Sequence, residues 1–532
     1  MRILQVVHGF PPQEWAGTEL ATFHLSQALH ARGHQVTVLT RTADPTAAEF
    51  SIREETVDGL EVVRVVNNYT KTSTFRLLYD SPFFDAPFRR LLDRLHPEVV
   101  HFQHLQHLSV SLLPLATALG YPTMLSLHDF FFPCHRIHLI DAAGQLCPGP
   151  ERGERCVSCL QEFATPEEVR RRFAYMEHAL QAPDLIITPS VFLAEKMRGY
   201  FPFLGKKVRA VPLGVKRIPA VVRERPARKP LRILYVGVLL PHKGAHVLVE
   251  ALKGLPPDAV EVSVYGAVVP ARQSYVYRLR EEARGLPVQF YDAYPHDQLA
   301  SILSQHDVLV MPMIWEETFS ILTREALMVG LPVVAARRGA LPEAVQDGVN
   351  GLLFEPENAA DLRRGLARLV AEPGLLERLR HVNPPMKTVD EYASDIEEVY
   401  AEVCAEPYRI RTLRRRLAEQ YRVDTAFQQE SERLRGEIRD LHAQRAVIQE
   451  ERERLAAEKA AAEQERDRAL AAVRELENIL KAREEQVRER NARLDAIYAS
   501  ATWKLYRGYA ALTHSMRQAV NELWRSVCIL RK

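Results

Sequence analysis

The sequence predicts an α/β fold with two doubly wound parallel sheets in tandem, followed by a long helical extension. In residues 1–404, short β-branched runs alternate with helical stretches, which is the pattern of βαβ units. The alternation forms two series that open alike, with RILQV at residues 2–6 and RILYV at residues 232–236. The last of the 33 prolines is Pro407, so the remaining chain is free to continue as helix.

Each series contains its own set of predicted strands. Those of the first series are RILQVV, HQVTVLT, LEVVRVV, PEVVHFQ, PTMLSLH and DLIITPS, and those of the second are LRILYVG, VEVSVYG, PVQFYDA, DVLVMP and LPVVAA. The predicted division of the chain is a first Rossmann-like domain at 1–212, a second at 213–404, a coiled coil at 405–498 and a basic helical tail at 499–532. A stretch rich in Pro, Arg and Lys between Pro212 and Lys229 is the predicted link. A ligand is expected in the cleft where the strands of both sheets end.

Composition narrows the class of protein. Hydrophobic residues make up 47% and charged residues 26% of the 532 residues, which excludes a wholly disordered or fibrous chain. The net charge of +2 argues against nucleic acid as a partner. No apolar run is long enough for a membrane-spanning helix. The apolar run in the opening segment MRILQVVHGFPPQ is too short for a signal peptide, so this segment is predicted to form a first β-strand. A cytoplasmic protein is therefore expected.

The extension carries a heptad pattern. Residues 405–498 contain 21 basic and 20 acidic side chains, with apolar residues recurring every seven positions. One seam holds Leu413, Phe427, Leu434, Leu441, Ile448, Leu455, Ala462, Ala469, Leu476 and Ile497, and its companion holds Leu417, Ile438, Val473, Leu480, Val487 and Leu494. The pattern favours self-association through a coiled coil, with a dimer preferred. A solvated single helix is the alternative, because Arg445, Arg452, Lys459 and Arg466 interrupt the companion seam.

The last 34 residues, 499–532, form a basic amphipathic pattern. They contain six Lys and Arg residues and one acidic residue. Their apolar and aromatic residues recur at helical spacing: Trp503, Leu505, Tyr506, Tyr509, Leu512, Met516, Val520, Leu523, Trp524 and Val527. Such a helix is suited either to an anionic membrane surface or to a protein partner, and both interpretations stay open.

The motif richest in chemistry spans residues 314–354, IWEETFSILTREALMVGLPVVAARRGALPEAVQDGVNGLLF. Glu317 and Glu325 flank the start of a predicted helix, where the backbone N–H groups belong to Phe319, Ser320, Ile321 and Leu322. A helix N-terminus is a ready site for a diphosphate, and ionised carboxylates accept hydrogen bonds from sugar hydroxyls. On their own, two glutamates at this spacing are also typical of an ordinary charged helix face.

Several motifs together resemble the family 4 glycosyltransferases, a retaining group with the two-domain glycosyltransferase B fold. Besides the stretch above, the similar segments are HGFPP with Ala16-Gly17-Thr18-Glu19, LSLHDFFFPC, YVGVLLPHKGAHVLVEAL, HDVLVMPMIWEETF and GALPEAVQDGVNGLLF. The resemblance covers residues 1–404. It implies a hexosyltransferase that moves a sugar from a nucleotide-sugar donor to a glycan acceptor, with retention and without a catalytic metal. The first domain would lie on the acceptor side and the second would bind the donor.

The resemblance also implies roles for individual residues. Glu325 would bind the ribose hydroxyls, and Glu317 the hydroxyls of the donor sugar. Lys243 would neutralise the diphosphate, and Gly17 would let the backbone of the first loop approach it. His128 would lie beside the reacting centre. Departure of the diphosphate builds negative charge, which a lysine and a helix N-terminus stabilise.

One departure from the family pattern leaves alternatives open. Where the family has Gly-Arg after the first strand of the second domain, this sequence has Gly237-Val238. Arg324 or Arg272 are the candidates to replace the lost contact with the diphosphate. The expected role is synthesis of a cell-surface polysaccharide on a lipid-linked acceptor at the inner face of the membrane. The alternatives are a catalytically weak scaffold that acts through the coiled coil, and a sugar-phosphate synthase with a soluble acceptor.

Four of the six cysteines cluster in an insertion near residues 130–162. Cys134, Cys147, Cys156 and Cys159 are spaced C-x12-C-x8-C-x2-C. Four thiolates in a cytoplasmic loop suit a structural zinc ion, because zinc prefers four sulphur or nitrogen ligands in tetrahedral geometry. Unliganded reduced cysteines and disulfide or redox chemistry are the alternatives, and a metal here would shape the acceptor site without taking part in bond-making.

Overall fold

The computed structural model describes residues 1–218, 230–381, 386–405, 448–492 and 513–522. The chain divides into two compact units, Met1–Tyr421 and Arg422–Lys532. Both predicted sheets lie in the first unit. Several residues assigned above to the coiled-coil seams and to the apolar face of the basic tail lie outside the described ranges. They are Leu413, Leu417, Phe427, Leu434, Ile438, Leu441, Leu494, Ile497, Trp503, Leu505, Tyr506, Tyr509, Leu512, Leu523, Trp524 and Val527.

The first sheet has eight strands. They are β1 (Arg2–Val6), β2 (Gln35–Thr42), β3 (Ile52–Val57), β4 (Leu60–Val66), β5 (Val99–Phe102), β6 (Thr123–Ser126), β7 (Leu185–Thr188) and β8 (Val208–Ala210). The helices among them are α1 (Gly17–Ala31), α2 (Asp85–Leu95), α3 (Leu112–Ala118), α4 (Glu154–Leu160), α5 (Pro166–Ala179) and α6 (Val191–Tyr200). The strand order is β3-β4-β2-β1-β5-β6-β7-β8, and every pair is parallel except the β3–β4 hairpin. The order reverses at β1, which places the end of that strand at a ligand-binding switch point.

The second sheet has six strands, all parallel. They are β9 (Leu231–Val236), β10 (Val260–Tyr265), β11 (Val288–Tyr291), β12 (Val308–Met311), β13 (Val333–Ala336) and β14 (Gly351–Phe354), in the order β11-β10-β9-β12-β13-β14. The helices that follow β9 are α7 (Ala245–Leu252), α8 (Gln273–Glu282), α9 (Leu299–Ser304), α10 (Ile321–Met328), α11 (Leu341–Ala344), α12 (Ala359–Ala371), α13 (Pro373–His381) and α14 (Val389–Cys404). Here the order reverses at β9, so the ends of β9 and β12 form the switch point.

The predicted fold class, two tandem doubly wound domains, is confirmed. All eleven predicted strands are present, and β3, β8 and β14 are additional. The buried strands are rich in Val, Ile and Leu because helices cover both faces of a parallel sheet. Strand β3, IREETV, escaped prediction because it is an exposed antiparallel edge strand whose charged residues give no hydrophobic pattern.

Helix α14 lies in the core of the first sheet, although it belongs to the segment assigned to the second domain. A capping box between Thr388 and Glu391 starts the helix. Its buried face packs with the core that contains Ile3 of β1 and Leu25 of α1. On its outer side, Glu397 accepts two hydrogen bonds from Arg32, at 3.0 and 2.6 Å. The division of the chain at residues 212 and 213 does not anticipate this return.

The second unit contains two described helices, α15 at residues 448–492 and α16 at residues 513–522. The long α15 is consistent with the predicted helical extension. The larger apolar residues of both seams within it are exposed on the single chain: Ile448, Leu455, Val473, Leu476, Leu480 and Val487. Pairing through this face stays a prediction. Among the helices described, none has the length and apolar content needed to cross a membrane.

Candidate active site

A cavity of about 590 Å³ lies between the carboxyl ends of the strands of the two sheets. The loops after β1 and β6 line it on one side, and the loops after β9 and β12 line it on the other. The structure brings all nine residues predicted for donor binding and catalysis to this cavity: Gly17, His128, Lys243, Glu317, Phe319, Ser320, Ile321, Leu322 and Glu325. They come from four separate loops, which meet only because parallel strands end at a common edge.

The start of α10 forms one wall of the cavity. Ser320 is the N-cap residue, and its hydroxyl accepts a hydrogen bond of 3.3 Å from the backbone N–H of Thr323. Its φ of +62° lies in the left-handed region, where a residue with a Cβ is strained. The first N–H groups of a helix have no partner within the helix, so α10 presents donors and its positive dipole end to the cavity.

The start of α1 reaches the same cavity from the other domain. Ala16, Gly17 and Thr18 all line it, and α1 runs for 15 residues from Gly17. A Cβ at Gly17 would meet no atom within 4 Å, so the backbone there is open to the cavity. Two helix N-termini therefore face one volume, which makes it suited to an anion.

Lys243 and Glu317 form an ion pair inside the cavity. The Lys243 Nζ lies 3.4 Å from the Glu317 Oε2 and 4.4 Å from the centre of the Trp315 ring. The turn that carries Lys243 ends at Gly244, whose φ is +75° and whose added Cβ would lie 1.8 Å from the carbonyl oxygen of Pro312. Only glycine fits there, so the lysine is held close to the loop after β12.

The backbone of Glu317 is held by the following motif. Gly339, with a φ of +61°, packs against it so closely that an added Cβ would lie 2.5 Å from the Glu317 nitrogen. The backbone N–H of Ala340 donates a hydrogen bond of 2.7 Å to the Glu317 carbonyl oxygen. The GALPE segment therefore positions Glu317, which lies 22 residues before Gly339 in the sequence, through a direct backbone contact.

Glu325 lies one turn into α10 and is buried, with 3% of its surface exposed. Tyr294 lines the cavity beside it. Burial, and then the charge of Glu325, raise the pKa of Tyr294, so this phenol keeps its proton and remains a hydrogen-bond donor.

The two arginines considered as replacements for the missing family arginine do not line the cavity. The guanidinium of Arg324 lies 3.6 Å from the centre of the Phe319 ring and donates to the carbonyl oxygens of Phe319 and Ser320. Burial lowers the pKa of Arg324 to about 10. Arg272 is likewise absent from the lining residues, whereas Val238 is one of them and is 39% exposed.

His128 is buried and fixed by a hydrogen-bond chain. Its Nε2 lies 2.8 Å from the Oε1 of Gln103, whose Nε2 donates to the Oε1 of Gln5 at 3.1 Å. Burial, and then the charge of His104, lower the pKa of His128 to about 4. The ring is therefore neutral near pH 7, and its Nε2–H donates to the amide oxygen. The lone pair of Nδ1 is left as an acceptor.

The chain continues into α14. The Nε2 of Gln5 donates to the hydroxyl of Tyr400 at 3.0 Å, and that hydroxyl lies 2.8 Å from the Nδ1 of His101. The Nε2 of His101 lies 2.8 Å from the hydroxyl of Ser126, so both ring nitrogens have partners. Sequence reasoning missed this network because its members come from four different elements.

Two histidine–carboxylate pairs beside the cavity were also not assigned roles from the sequence. His8 pairs with Glu19 at 3.0 Å, and His104 pairs with Asp129 at 3.1 Å. The rings of His8 and His104 are 4.3 Å apart. Burial raises the pKa of Asp129, but the charge and hydrogen bond of His104 outweigh it and bring the pKa to about 2. The sequence signal for His8, Glu19 and Asp129 was their presence in the two motif loops of the first domain, whereas His104 follows β5 outside those motifs.

The cysteine-rich insertion contributes to the wall of the cavity. Its residues Ile137 and His138 line it. The ring of His138 lies 4.9 Å from the rings of both His242 and Trp315, which belong to the second sheet's loops. The insertion therefore extends from the first domain to the second.

The four clustered cysteines line a separate cavity of about 240 Å³. All four are free thiols and partly buried. Within the described ranges, no three His, Cys, Asp or Glu side chains are already arranged as a metal-binding group.

Comparison with protein-family models gives two matches that follow each other along the chain. Residues 15–217 match Glycosyltransferase Family 4, and residues 221–383 match Glycosyl transferases group 1. Glycogen synthase from Mycobacterium tuberculosis is 25% identical over 390 residues, which are 71% of this chain and 88% of that protein. D-inositol 3-phosphate glycosyltransferase from Streptomyces bingchenggensis is 36% identical over 156 residues, 27% of this chain and 34% of that protein. The chain thus matches only about a third of the length of the latter.

Solved structures share the fold. Sucrose-phosphate synthase from Thermosynechococcus elongatus has a TM-score of 0.57 at 19% identity, covering 76% of this chain and 99% of that chain. Anabaena Alr3699/HepE, in complex with UDP and glucose, has a TM-score of 0.52 at 17% identity, covering 75% of this chain and 99% of that chain. With the two family matches and the two tandem sheets, these likenesses show that the chain belongs to the glycosyltransferases of family 4 and group 1, with the glycosyltransferase B fold.

Proposed function

We propose that this protein transfers a hexosyl group from a nucleotide-sugar donor to a glycan acceptor with retention of anomeric configuration. The observation that carries the proposal is the cavity that contains the Lys243–Glu317 ion pair, the start of α10 and Glu325. It combines a cation and helix N–H donors with two carboxylates, which is the chemistry needed for a diphosphate joined to hydroxyl-bearing sugars.

The donor is proposed to bind with its diphosphate between the two helix N-termini. Lys243 would then contact the phosphate oxygens, and the open backbone at Gly17 would allow close approach from the first domain. Glu325 would accept hydrogen bonds from the ribose hydroxyls. Glu317, released from part of its pairing with Lys243, would accept them from the donor sugar.

The transfer step is proposed to break the bond between the anomeric carbon and the diphosphate, with attack of the acceptor hydroxyl on the same face of the sugar. The proton of that hydroxyl passes to the departing nucleoside diphosphate. Negative charge grows on the departing diphosphate, where Lys243 and the start of α10 stabilise it. The neutral His128 offers its Nδ1 lone pair to a hydroxyl near the reacting carbon. We propose no catalytic metal, because these groups supply the charge stabilisation that a metal otherwise provides.

The acceptor is proposed to be a growing cell-surface glycan on a lipid carrier, at the cytoplasmic face of the membrane. The basic character of residues 499–532 supports this location, because anionic lipids attract such segments. Truncation at residue 498 tests it. Transfer to a soluble acceptor should persist in the truncated protein, whereas transfer to a membrane-bound acceptor should fall. Equal activity on the membrane-bound acceptor would instead favour the soluble-acceptor alternative.

The donor proposal is tested with a panel of nucleotide sugars, by measuring donor hydrolysis and thermal stabilisation. A ligand at a hundred times its Kd stabilises the folded state by about 2.7 kcal/mol. One donor should raise the melting temperature of the wild type and of Glu250→Ala, which changes an exposed glutamate on α7. The same donor should have little effect on Glu325→Ala. If no donor stabilises the wild type at millimolar concentration, the proposal is wrong and the scaffold alternative is favoured.

A further inference from the structure

Four cysteines from three separate segments of the insertion meet around one cavity. Cys134 follows the loop after β6, Cys147 lies thirteen residues later, and Cys156 and Cys159 lie on α4. All four line the 240 Å³ cavity described above. We propose that these four thiols bind one structural zinc ion, which holds the insertion against the donor-binding domain.

The backbone around the first two cysteines brings them close together. The backbone N–H groups of Leu139 and Arg136 hydrogen-bond the sulphur of Cys134. An antiparallel bridge between Ile140 and Leu146 then returns the chain, so that Cys147 lies next to Leu139 through a 2.7 Å backbone hydrogen bond.

The other two cysteines share one face of a helix. Cys156 and Cys159 are three residues apart on α4, and side chains at that spacing are neighbours on the helix surface. A pair separated by two residues is also the usual spacing of two zinc ligands. The loop before the Ile140–Leu146 bridge and the residue after the bridge therefore supply one ligand each, and the helix supplies two.

A buried cation beside the thiols lacks an anionic partner. Arg172 is only 4% exposed and donates to the carbonyl oxygens of Phe131 and Phe132, at 2.7 and 3.4 Å, while its Nε has no partner. These two carbonyl groups precede Cys134 by two and three residues, which places the guanidinium close to the start of the cysteine cluster. In the described part of the chain, no ion pair joins Arg172 to a carboxylate.

A zinc ion bound by four thiolates would form an anionic group and supply the negative charge that Arg172 lacks. The metal carries two positive charges and the four thiolates carry four negative ones, so the site has a net charge of −2. Arg136 and Arg155 line the cavity, so cationic side chains lie close to the proposed site. Four neutral thiols would instead leave Arg172 buried without an anion, which is costly.

Binding requires the side chains to turn toward the centre of the cavity, since they do not yet form a closed group. Cysteine has a single side-chain torsion with three staggered positions, so such a turn is a small change. The four thiols release their protons to solvent when the metal binds.

The proposed zinc site would stabilise one wall of the donor cavity. His138 lies between Cys134 and the Ile140–Leu146 bridge, and its ring is 4.9 Å from Trp315 of the second domain. Trp315 in turn lies under the ammonium group of Lys243. The metal would therefore act on the donor site through the position of His138, with no part in bond-making.

The test is a measurement of zinc in the full-length protein, purified without chelator, by mass spectrometry of the metal. We expect about one zinc per chain, the stoichiometry of a four-thiolate site. The double variant Cys156→Ser with Cys159→Ser should lose it, whereas Cys404→Ser should retain it, because Cys404 lies on α14 away from the cluster. Zinc retained by the double variant, or no zinc in the wild type, would overturn the proposal.

A second measurement does not depend on the folding of a variant. Wild-type protein stripped of metal and titrated with Co²⁺ should develop the intense absorption of tetrahedral cobalt–thiolate coordination at one equivalent. Zinc should then displace it. The absence of this absorption, or the finding of a disulfide between any two of the four cysteines in freshly purified protein, would overturn the zinc site. Neither readout involves sugar transfer, so a failure here is distinct from a failure of the proposed function.

Discussion

The hydroxyl of Thr318 donates a hydrogen bond of 2.6 Å to the backbone carbonyl oxygen of His128. This bond joins the two motif loops directly, one from each domain, and both residues are buried. Nearby, Lys196 and Glu316 form an ion pair of 2.8 Å between the domains. The His128 loop and the Glu317 loop are thus held in a fixed relation, which the proposed reaction between a donor on one domain and an acceptor on the other requires.

Replacing Thr318 with valine removes this bond while keeping a branched side chain of similar size. We expect kcat/KM for the donor to fall about fivefold, because a buried hydrogen bond contributes about 1 kcal/mol. Thr318→Ser retains the hydroxyl and is the matched control. Steady-state kinetics of both variants measure the effect. An equal loss of kcat/KM in the two would mean that the packing of the side chain, and not the hydrogen bond, is responsible.

Substitution of Lys243 tests whether this residue stabilises the negative charge on the departing diphosphate. We expect Lys243→Met to lower kcat by on the order of a hundredfold, because an oriented cation stabilises the leaving diphosphate mainly in the transition state. Lys253→Met removes an exposed lysine that pairs with Glu250 on α7, and its activity should match that of the wild type. A change confined to KM in Lys243→Met would contradict a role in departure.

The part of the site that could be predicted from the sequence consists of local motifs. Glu317, Ser320 and Glu325 lie within nine residues of one another, so the helix start that they flank was visible in the pattern itself. Lys243 could be assigned to the same site because parallel strands end at a common edge of the sheet. This rule of the fold applies without knowledge of individual contacts.

Contacts between distant elements could not be predicted in this way. The amphipathic pattern of α14 shows that one face is buried, but not that Tyr400 would reach Gln5 in the other domain, 395 residues earlier. The same holds for His138, whose position against Trp315 depends on the path of a loop without regular structure. Edge strand β3 went unpredicted because its side chains bury no apolar face.

Two tyrosines on α14 offer a comparison for the hydrogen-bond chain. Tyr400 and Tyr392 are both buried, but the Tyr400 hydroxyl bonds to Gln5 and His101 while the Tyr392 hydroxyl has no partner. We expect Tyr400→Phe to lower the free energy of unfolding of the first unit by about 1–3 kcal/mol, since it leaves buried polar groups unpaired. Tyr392→Phe should cost much less. Urea unfolding of the two variants measures the difference. An equal loss of unfolding free energy in both would contradict a stabilising role for the hydrogen-bond chain.

The stability of the first unit should depend on pH through His128. Burial lowers the pKa of His128 from 6.5 to about 4, so below pH 6.5 the unfolded chain binds a proton that the folded chain does not. The neutral His128 ring therefore contributes fully to the free energy of unfolding above pH 6.5, and this contribution is lost as the pH falls toward 4. His128→Asn should show a shallower fall than the wild type in unfolding measurements over this range. His30→Asn, a change at an exposed position on α1, should leave the slope unaltered, and identical slopes in all three proteins would contradict the prediction.

Val238 occupies the position where the family has an arginine, and it lines the cavity with an exposed side chain. An arginine there would add a charged donor that can contact a diphosphate in bidentate fashion. We expect Val238→Arg to tighten binding of the nucleoside diphosphate about five- to tenfold, and the gain should shrink at high salt because the new contact is solvent-accessible. Val268→Arg adds the same charge at an exposed valine after β10 that does not line the cavity, and it should leave the affinity unchanged.

Isothermal titration of both variants with UDP, ADP and GDP measures the effect. If the two variants behave alike, the gain is a general effect of charge. If Val238→Arg gains nothing, the diphosphate lies away from this residue, and the proposed donor position must be revised.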